Sequence, residues 1–177
     1  PAFRVCVLHL DKGKSEIISF GDKNLLMGGS GLAAALFEKY GLPGEPWSHP
    51  DQPLIFAIGC LTGYFPLMSK VVAGFKSPYH DQYAESHAGG RLALAMRFAG
   101  YDAIMLRGRA AQPVAVHVGG RIIETKDANY LWGANALTTA NAIKTKMQEL
   151  SRNFPAGLKV VYPFDTTPFV KVAIMEA

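Results

Sequence analysis

Residues 3–10 (FRVCVLHL) and 15–20 (SEIISF) alternate in the manner of half-buried strands and are rich in β-forming side chains. The turn sequence Asp11-Lys12-Gly13-Lys14 lies between them, so the chain opens as a predicted β-hairpin. Residues 32–40 (LAAALFEKY) switch to a helical composition directly after Gly28-Gly29-Ser30-Gly31, and stop at Gly41 with Pro43 beyond. Residues 42–53 are proline-rich and read as a surface loop. The wholly apolar run 54–58 (LIFAI) predicts a buried strand that empties into Gly59-Cys60-Leu61-Thr62-Gly63. A further strand is expected over 70–75, broken by Lys76-Ser77-Pro78. Residues 79–88 (YHDQYAESHA) read as a polar loop leading through Gly89-Gly90 into a second helix over 91–99 that stops at Gly100. A strand follows at 101–106, then a hairpin over 113–118 and 121–125 whose Gly119-Gly120 turn permits positive φ. A third helix is expected from near Leu137 to Leu150, with Thr138 or Thr139 capping it. Closing strands are expected at 158–162 and 169–175.

This order lacks regular β-α-β alternation, which favours α+β over a doubly wound sheet. The expected fold is a β-rich α+β domain with two packed, mostly antiparallel or mixed sheets and about three helices. Residues 1–177 read as a single domain. The chain is 49% hydrophobic and 18% charged, enough for a proper core without disulfide or metal staples. Collagen, coiled coil and disordered tail are excluded.

Eighteen Lys and Arg against fourteen Asp and Glu leave a charge of +4. The basic residues are scattered, and the densest group (Arg91, Arg97, Arg107, Arg109) is interleaved with apolar residues. That is not the concentrated stripe of a nucleic-acid binder, so no nucleic-acid partner is expected. Cys6 and Cys60 each sit in an apolar run and read as buried thiols of a reducing compartment. No CxxC pair supplies a zinc or iron–sulfur ligand set. With no membrane-length apolar run and no signal peptide, a soluble cytoplasmic protein is expected.

Two features have the composition of a binding site. Glycines precede a helix at Gly28–Gly31 and again at Gly89-Gly90, where unpaired helix N–H groups and a partial positive charge favour an anion. Each also reads simply as a tight turn, and neither matches GxGxxG or GxxxxGK[ST]. The stretch from Gly59 to Gly90 carries the GCLTG turn, the Ser69-Lys70 pair, Lys76-Ser77-Pro78 and a loop with His80, Asp81, Glu85, Ser86 and His87 beyond a core strand, a variety of polar groups that suggests a site mouth. Lys70 reads equally as a point charge for an anion or as a solvated strand residue. His87 reads as a phosphate donor or as a satisfied loop histidine. Asp81 and Glu85 would meet only on a helix, which a loop does not provide, so an acid/base carboxylate pair is rejected. His9, His49 and His117 share no metal-ligand spacing.

The segments GGSGLAAALF, PLIFAIGCLTG, FKSPYHDQYAESHAGGRLALAMRFAGYDAIMLRGRAAQPVAVHV and DANYLWG, in this order, resemble the N-terminal domain of the tungsten and molybdenum aldehyde ferredoxin oxidoreductase family. The resemblance runs from Phe3 to about Met175. It implies a β-rich base that cradles tungsten or molybdenum held by two pyranopterin dithiolenes, their phosphates joined through magnesium. It assigns cofactor contacts to Gly28, Gly29, Ser30, Gly31, Thr62, Ser69, Lys70, His87, Gly89 and Gly90, and no catalytic residue. Three positions depart from the family pattern. Lys70 stands where an Arg is usual and lacks its bidentate fork, His87 stands for an Asn, and Cys60 stands for a Pro. The resemblance also implies that the iron–sulfur cluster and the acid/base residues lie on other domains or a partner. The expected role is therefore a cofactor-binding domain or small subunit that meets a catalytic partner, with homo-oligomerisation a further expectation. The alternative is a stand-alone, non-catalytic relative acting in interaction or assembly.

Overall fold

The computed structural model describes residues 1–129 and 136–151. Two packed units divide the chain, Pro1–Asp127 and Ala128–Ala177. In the first, β1 (Phe3–His9) and β2 (Lys14–Phe20) form the expected antiparallel hairpin, Phe3 facing Phe20 and His9 facing Lys14. A single helical turn, α1 (Lys23–Leu26), was not expected from the sequence pattern; Asp22 caps it by accepting from the Asn24 N–H at 2.9 Å. The predicted helices and strands follow as α2 (Gly29–Tyr40), β3 (Leu54–Ile58), β4 (Val71–Lys76), α3 (Leu92–Ala99) and β6 (Ala103–Arg107). The second hairpin is β7 (Val114–Val118) with β8 (Ile123–Asp127).

One segment corrects the sequence reading. Within the expected loop, Tyr83–Ala88 form a strand, β5, that pairs antiparallel with β4. It lies at the edge of the sheet, where only one neighbour constrains it and polar side chains cost little. The preceding turn closes on a bond from the Ser77 N–H to the Gln82 carbonyl at 2.7 Å.

The six strands run in the order β2-β1-β6-β3-β4-β5, with only β1 and β6 parallel. Strand alternation sorts their side chains onto two faces. Phe3, Val5, Val7, Ile55, Ala57, Val72, Ala103 and Met105 meet Leu32, Ala33 and Leu36 of α2. Leu32 and Leu36 lie one turn apart, and burying each stabilises the fold by about 2 kcal/mol. The other face carries Cys6, Leu8, Ile58, Val71 and Ile104 against Ala93 and Met96 of α3, and Val116, Val118 and Ile123 of the two-stranded sheet pack on it. The fold is α+β and β-rich, with a six-stranded mixed sheet and a two-stranded antiparallel one among the described residues. Burial pushes the Cys6 thiol up to about 11, the Arg4 charge opposing it only in part. Cys60 is half-buried rather than enclosed.

The second unit contains α4 (Ala136–Ser151), which matches the expected third helix. The strands expected at 158–162 and 169–175 lie outside the described residues.

A buried carboxylate fastens one end of the larger sheet. Asp102, just ahead of β6, accepts from the Arg4 N–H at 2.9 Å and from Arg97 Nη1 at 3.2 Å, and pairs with Lys23 Nζ at 2.8 Å. Arg97 also donates to the carbonyls of Thr62 (3.0 Å), Gly59 (2.9 Å) and Cys60 (3.3 Å). Strand β1, the α1 turn, the 59–62 turn and α3 therefore meet at one charge cluster. Removing the acid leaves two cations partly desolvated and unpaired, which is costly. Asp102→Ala is expected to lower the unfolding free energy by about 3 kcal/mol in urea titration, whereas a loss below about 1 kcal/mol is the size of a surface pair.

Candidate functional site

The charge cluster sets out the end of the sheet where most of the sequence-predicted residues gather. After β3 the chain turns at Gly59, which forms a β-bridge with Gly28; the Cys60 N–H donates to the Met27 carbonyl at 3.3 Å. Gly28 has φ +78, and a Cβ there would lie 2.6 Å from the Ile58 carbonyl oxygen. A Cβ on Gly31 would come within 2.5 Å of the Leu26 carbonyl oxygen. Gly28 thus fits the start of α2 closely against the β3 turn, and Gly31 fits it against the end of α1. Gly29 opens the helix and Ser30 is exposed. No side chain caps α2, so its first N–H groups keep their donor capacity.

Alternation along β5 sends Tyr83, Glu85 and His87 to the α2 face. The Glu85 carboxylate gathers the cluster. Its Oε2 accepts from Ser30 Oγ at 2.8 Å and lies 3.1 Å from His87 Nε2, while Oε1 accepts from Tyr83 Oη at 2.7 Å. Burial raises the Glu85 carboxyl, but the bonds from Tyr83, Ser30 and His87, with the His87 charge, outweigh it and hold it below its ordinary value. Burial pushes the Tyr83 hydroxyl well above the usual tyrosine range, and its bond to Glu85 and the Glu85 charge push the same way.

Val71 pairs with Ala88 and Val72 with His87, so Lys70, extending β4 by one residue, falls opposite Gly89 and shares the parity of Val72. Lys70, His87, Gly89 and Gly90 are all exposed. Gly90 has φ +93, and a side chain at Gly89 or Gly90 would meet nothing within 4 Å, so backbone at this turn is open to approach. Gly28–Gly31, Lys70, His87 and Gly89-Gly90 are therefore brought to one sheet end.

Thr62 and Ser69 brace the intervening loop instead. Thr62 is buried, its N–H bonded to the Gly59 carbonyl at 3.1 Å and its hydroxyl 3.5 Å from the Met68 carbonyl. Ser69 Oγ accepts from the Gly63 N–H at 3.3 Å. The rejected partner of Glu85, Asp81, lies in the 77–82 turn, 3.3 Å from Lys76 Nζ. Tyr83 was missed as a site residue, and Glu85, counted among the polar groups of the loop, was given no binding role; the period-two spacing of Tyr83, Glu85 and His87 was the available signal.

Among the described residues no group of three or more His, Cys, Asp or Glu is placed to hold a metal ion by itself. A separate hollow of about 240 Å³ lies on the α3 face, walled by Leu8, Phe56, Met96, Ile104, Val116 and Val118, and carries no such polar groups. No helix among the described residues is long and apolar enough to cross a membrane.

The family described as "Aldehyde ferredoxin oxidoreductase, N-terminal domain" matches residues 5–159. The chain belongs to this family. The tungsten-containing aldehyde ferredoxin oxidoreductase of Pyrococcus furiosus is 33% identical over 122 residues, which cover 68% of this chain and 20% of that protein. The chain spans about a fifth of the length of the tungsten-containing relatives it matches. Among solved structures, the active-site complex BamBC of benzoyl coenzyme A reductase, in complex with 1,5-dienoyl-CoA, superposes with a TM-score of 0.72 at 29% identity. That match covers 84% of this chain and 24% of the other. A stretch of 44 residues, 25% of the chain, is 64% identical to the multidrug export protein AcrF of Escherichia coli K12, covering 4% of that protein.

The folded-state value of Glu85 lies below its unfolded one, so its contribution to stability is present above the unfolded value, about pH 4.3. It is lost as pH falls through the folded value. Urea unfolding followed from about pH 6 to about pH 3 should therefore show the wild type losing stability more steeply on acidification than Glu85→Gln. Parallel curves would remove Glu85 as the centre of the cluster.

Proposed function

We propose that this chain is the cofactor-cradling portion of an aldehyde ferredoxin oxidoreductase-type enzyme and binds a tungsten- or molybdenum-bispyranopterin at the sheet end described above. The observation that carries this reading is the convergence of three elements in a chain matched by that family over residues 5–159. They are the glycine-led start of α2, the His87–Gly90 turn and Lys70. The donor set fits a phosphorylated guest. The first N–H groups of α2 have no side-chain cap, Lys70 and His87 are exposed, and the backbone at Gly89-Gly90 is open. Lys70 supplies a point charge and His87 a ring nitrogen, and the open glycines let a bulky ring system approach the chain.

In this reading, magnesium joins the cofactor's phosphates and an iron–sulfur cluster sits on a partner domain or subunit that receives the electrons, in the cytoplasm. When bound, the cofactor supplies two-electron redox chemistry; the residues of this chain bind and orient it. Thr62 and Ser69 contribute by holding the 59–69 loop in shape.

One observation favours the non-catalytic alternative. Glu85 places a carboxylate beside Ser30 at the start of α2, where an approaching phosphate would meet like charge. A single preparation decides between the two. Protein purified from its own cells grown with tungstate or molybdate is expected to carry the metal and to release a fluorescent pterin. Lys70→Ala and His87→Ala should each reduce metal content severalfold with an unchanged far-ultraviolet spectrum. Folded protein free of metal and pterin would instead support the interaction role.

A further inference from the structure

The Glu85 cluster is assembled from the sheet outward. Gly74 stands opposite Glu85 on β4, and a Cβ there would lie 2.9 Å from Tyr83 Oη and 3.2 Å from the Ala33 Cβ. The missing side chain leaves the gap that the end of Tyr83 occupies. The Tyr83 ring packs at a tilt on Phe37 of α2, ring centres 5.0 Å apart. Its hydroxyl is thereby held where it donates to Glu85 Oε1 at 2.7 Å. The other carboxylate oxygen is shared between two elements, with Ser30 Oγ of α2 at 2.8 Å and His87 Nε2 of β5 at 3.1 Å. The Glu85 side chain is 22% exposed and that of His87 49%, so the carboxylate lies beneath the ring that faces outward.

The donors present decide where the imidazole proton lies. Glu85, its carboxyl held below the ordinary value, is ionised at neutral pH and only accepts. Its bond to Nε2 therefore requires a proton on Nε2, whatever the charge of the ring. Among the described residues no partner reaches Nδ1, and this is the atom left for a guest. Ser30 is committed in the same way, because its hydroxyl proton goes to Glu85 and only its lone pairs remain.

We propose that Glu85 is a positioning residue, which takes up the Nε2 proton of His87 and the Ser30 hydroxyl so that His87 meets the cofactor through Nδ1 alone. The proposal rests on the cofactor reading above. It divides the work within the site. In the neutral ring Nδ1 is an acceptor, suited to the N–H groups of a pterin ring. Phosphate oxygens fall instead to Lys70 and to the open backbone N–H groups of α2 and Gly89-Gly90. Fixing one imidazole nitrogen by a bond at the other is how a carboxylate selects a tautomer and a ring orientation.

Long-range nitrogen–proton correlation spectra of the full chain, labelled at histidine, read the proton position at about pH 8.5, where an ordinary imidazole is neutral. His87 is picked out of the five histidines by the signal lost in His87→Gln. The expected wild-type pattern has Nε2 protonated and Nδ1 bare. Glu85→Gln, whose amide donates as well as accepts, should show a mixture of both tautomers. The same substitution should lower the metal content of protein from its own cells severalfold, and lower it no further in a His87→Ala background. A bare Nε2 in the wild type overturns the proposal and needs no variant to fold. So do identical patterns in wild type and Glu85→Gln, additive losses, or a variant that holds more metal than the wild type. Metal-free wild type with Nε2 protonated refutes only the cofactor reading, whereas metal-loaded protein with Nε2 bare refutes only the positioning role.

Discussion

The Asp102 carboxylate sits where strand β1, the α1 turn, the 59–62 turn and α3 meet, and the Gly28 and Gly59–Thr62 side of the candidate site depends on it at one remove. It holds Arg97, which aims three hydrogen bonds at the carbonyls of Gly59, Cys60 and Thr62. It holds Lys23, and with it the turn that delivers Gly28 to Gly59. A buried charge of this sort is weak evidence of net stability, because desolvation opposes the Coulombic gain. Its worth lies in geometry: three cationic or N–H donors from distant segments have one place at which to meet, and the turns between them are fixed as a result.

From that anchor the two faces of the six-stranded sheet acquire different characters. The α3 face is closed by apolar residues and by the two-stranded sheet. The α2 face is apolar along most of its length and becomes polar only where α2 begins. There Ser30, Tyr83 and His87 converge on Glu85, and Lys70 and Gly89-Gly90 lie open beside them. Polar groups are thus gathered at one sheet end, with a pinned apolar loop at its border.

Much of this was legible in the sequence, for reasons that differ from element to element. The hairpins, the apolar strand at Leu54–Ile58 and the helices announce themselves through period and punctuation, because their side chains must satisfy a buried face. Strand β5 does not: as an edge strand it faces its polar cluster on one side, so YAESHA carries no apolar alternation. Gly28 and Gly31 stand out in the sequence as part of a glycine run before a helix, and the cause the structure shows is close packing against backbone carbonyls. Thr62 and Ser69 point into their own loop, which no local pattern distinguishes from facing outward. The Arg97–Asp102 cluster joins residues up to 98 positions apart, and pairing at that range is set by topology rather than by neighbouring sequence. The family resemblance, by contrast, rested on long ordered segments and is matched over residues 5–159.

The most direct test is a crystal structure of the metal-loaded protein with anomalous data collected at the tungsten or molybdenum edge. The account predicts an anomalous peak in front of the α2 start, flanked by Lys70 and the His87–Gly90 turn. A peak in the apolar hollow on the α3 face, or at any surface away from those three elements, would contradict it.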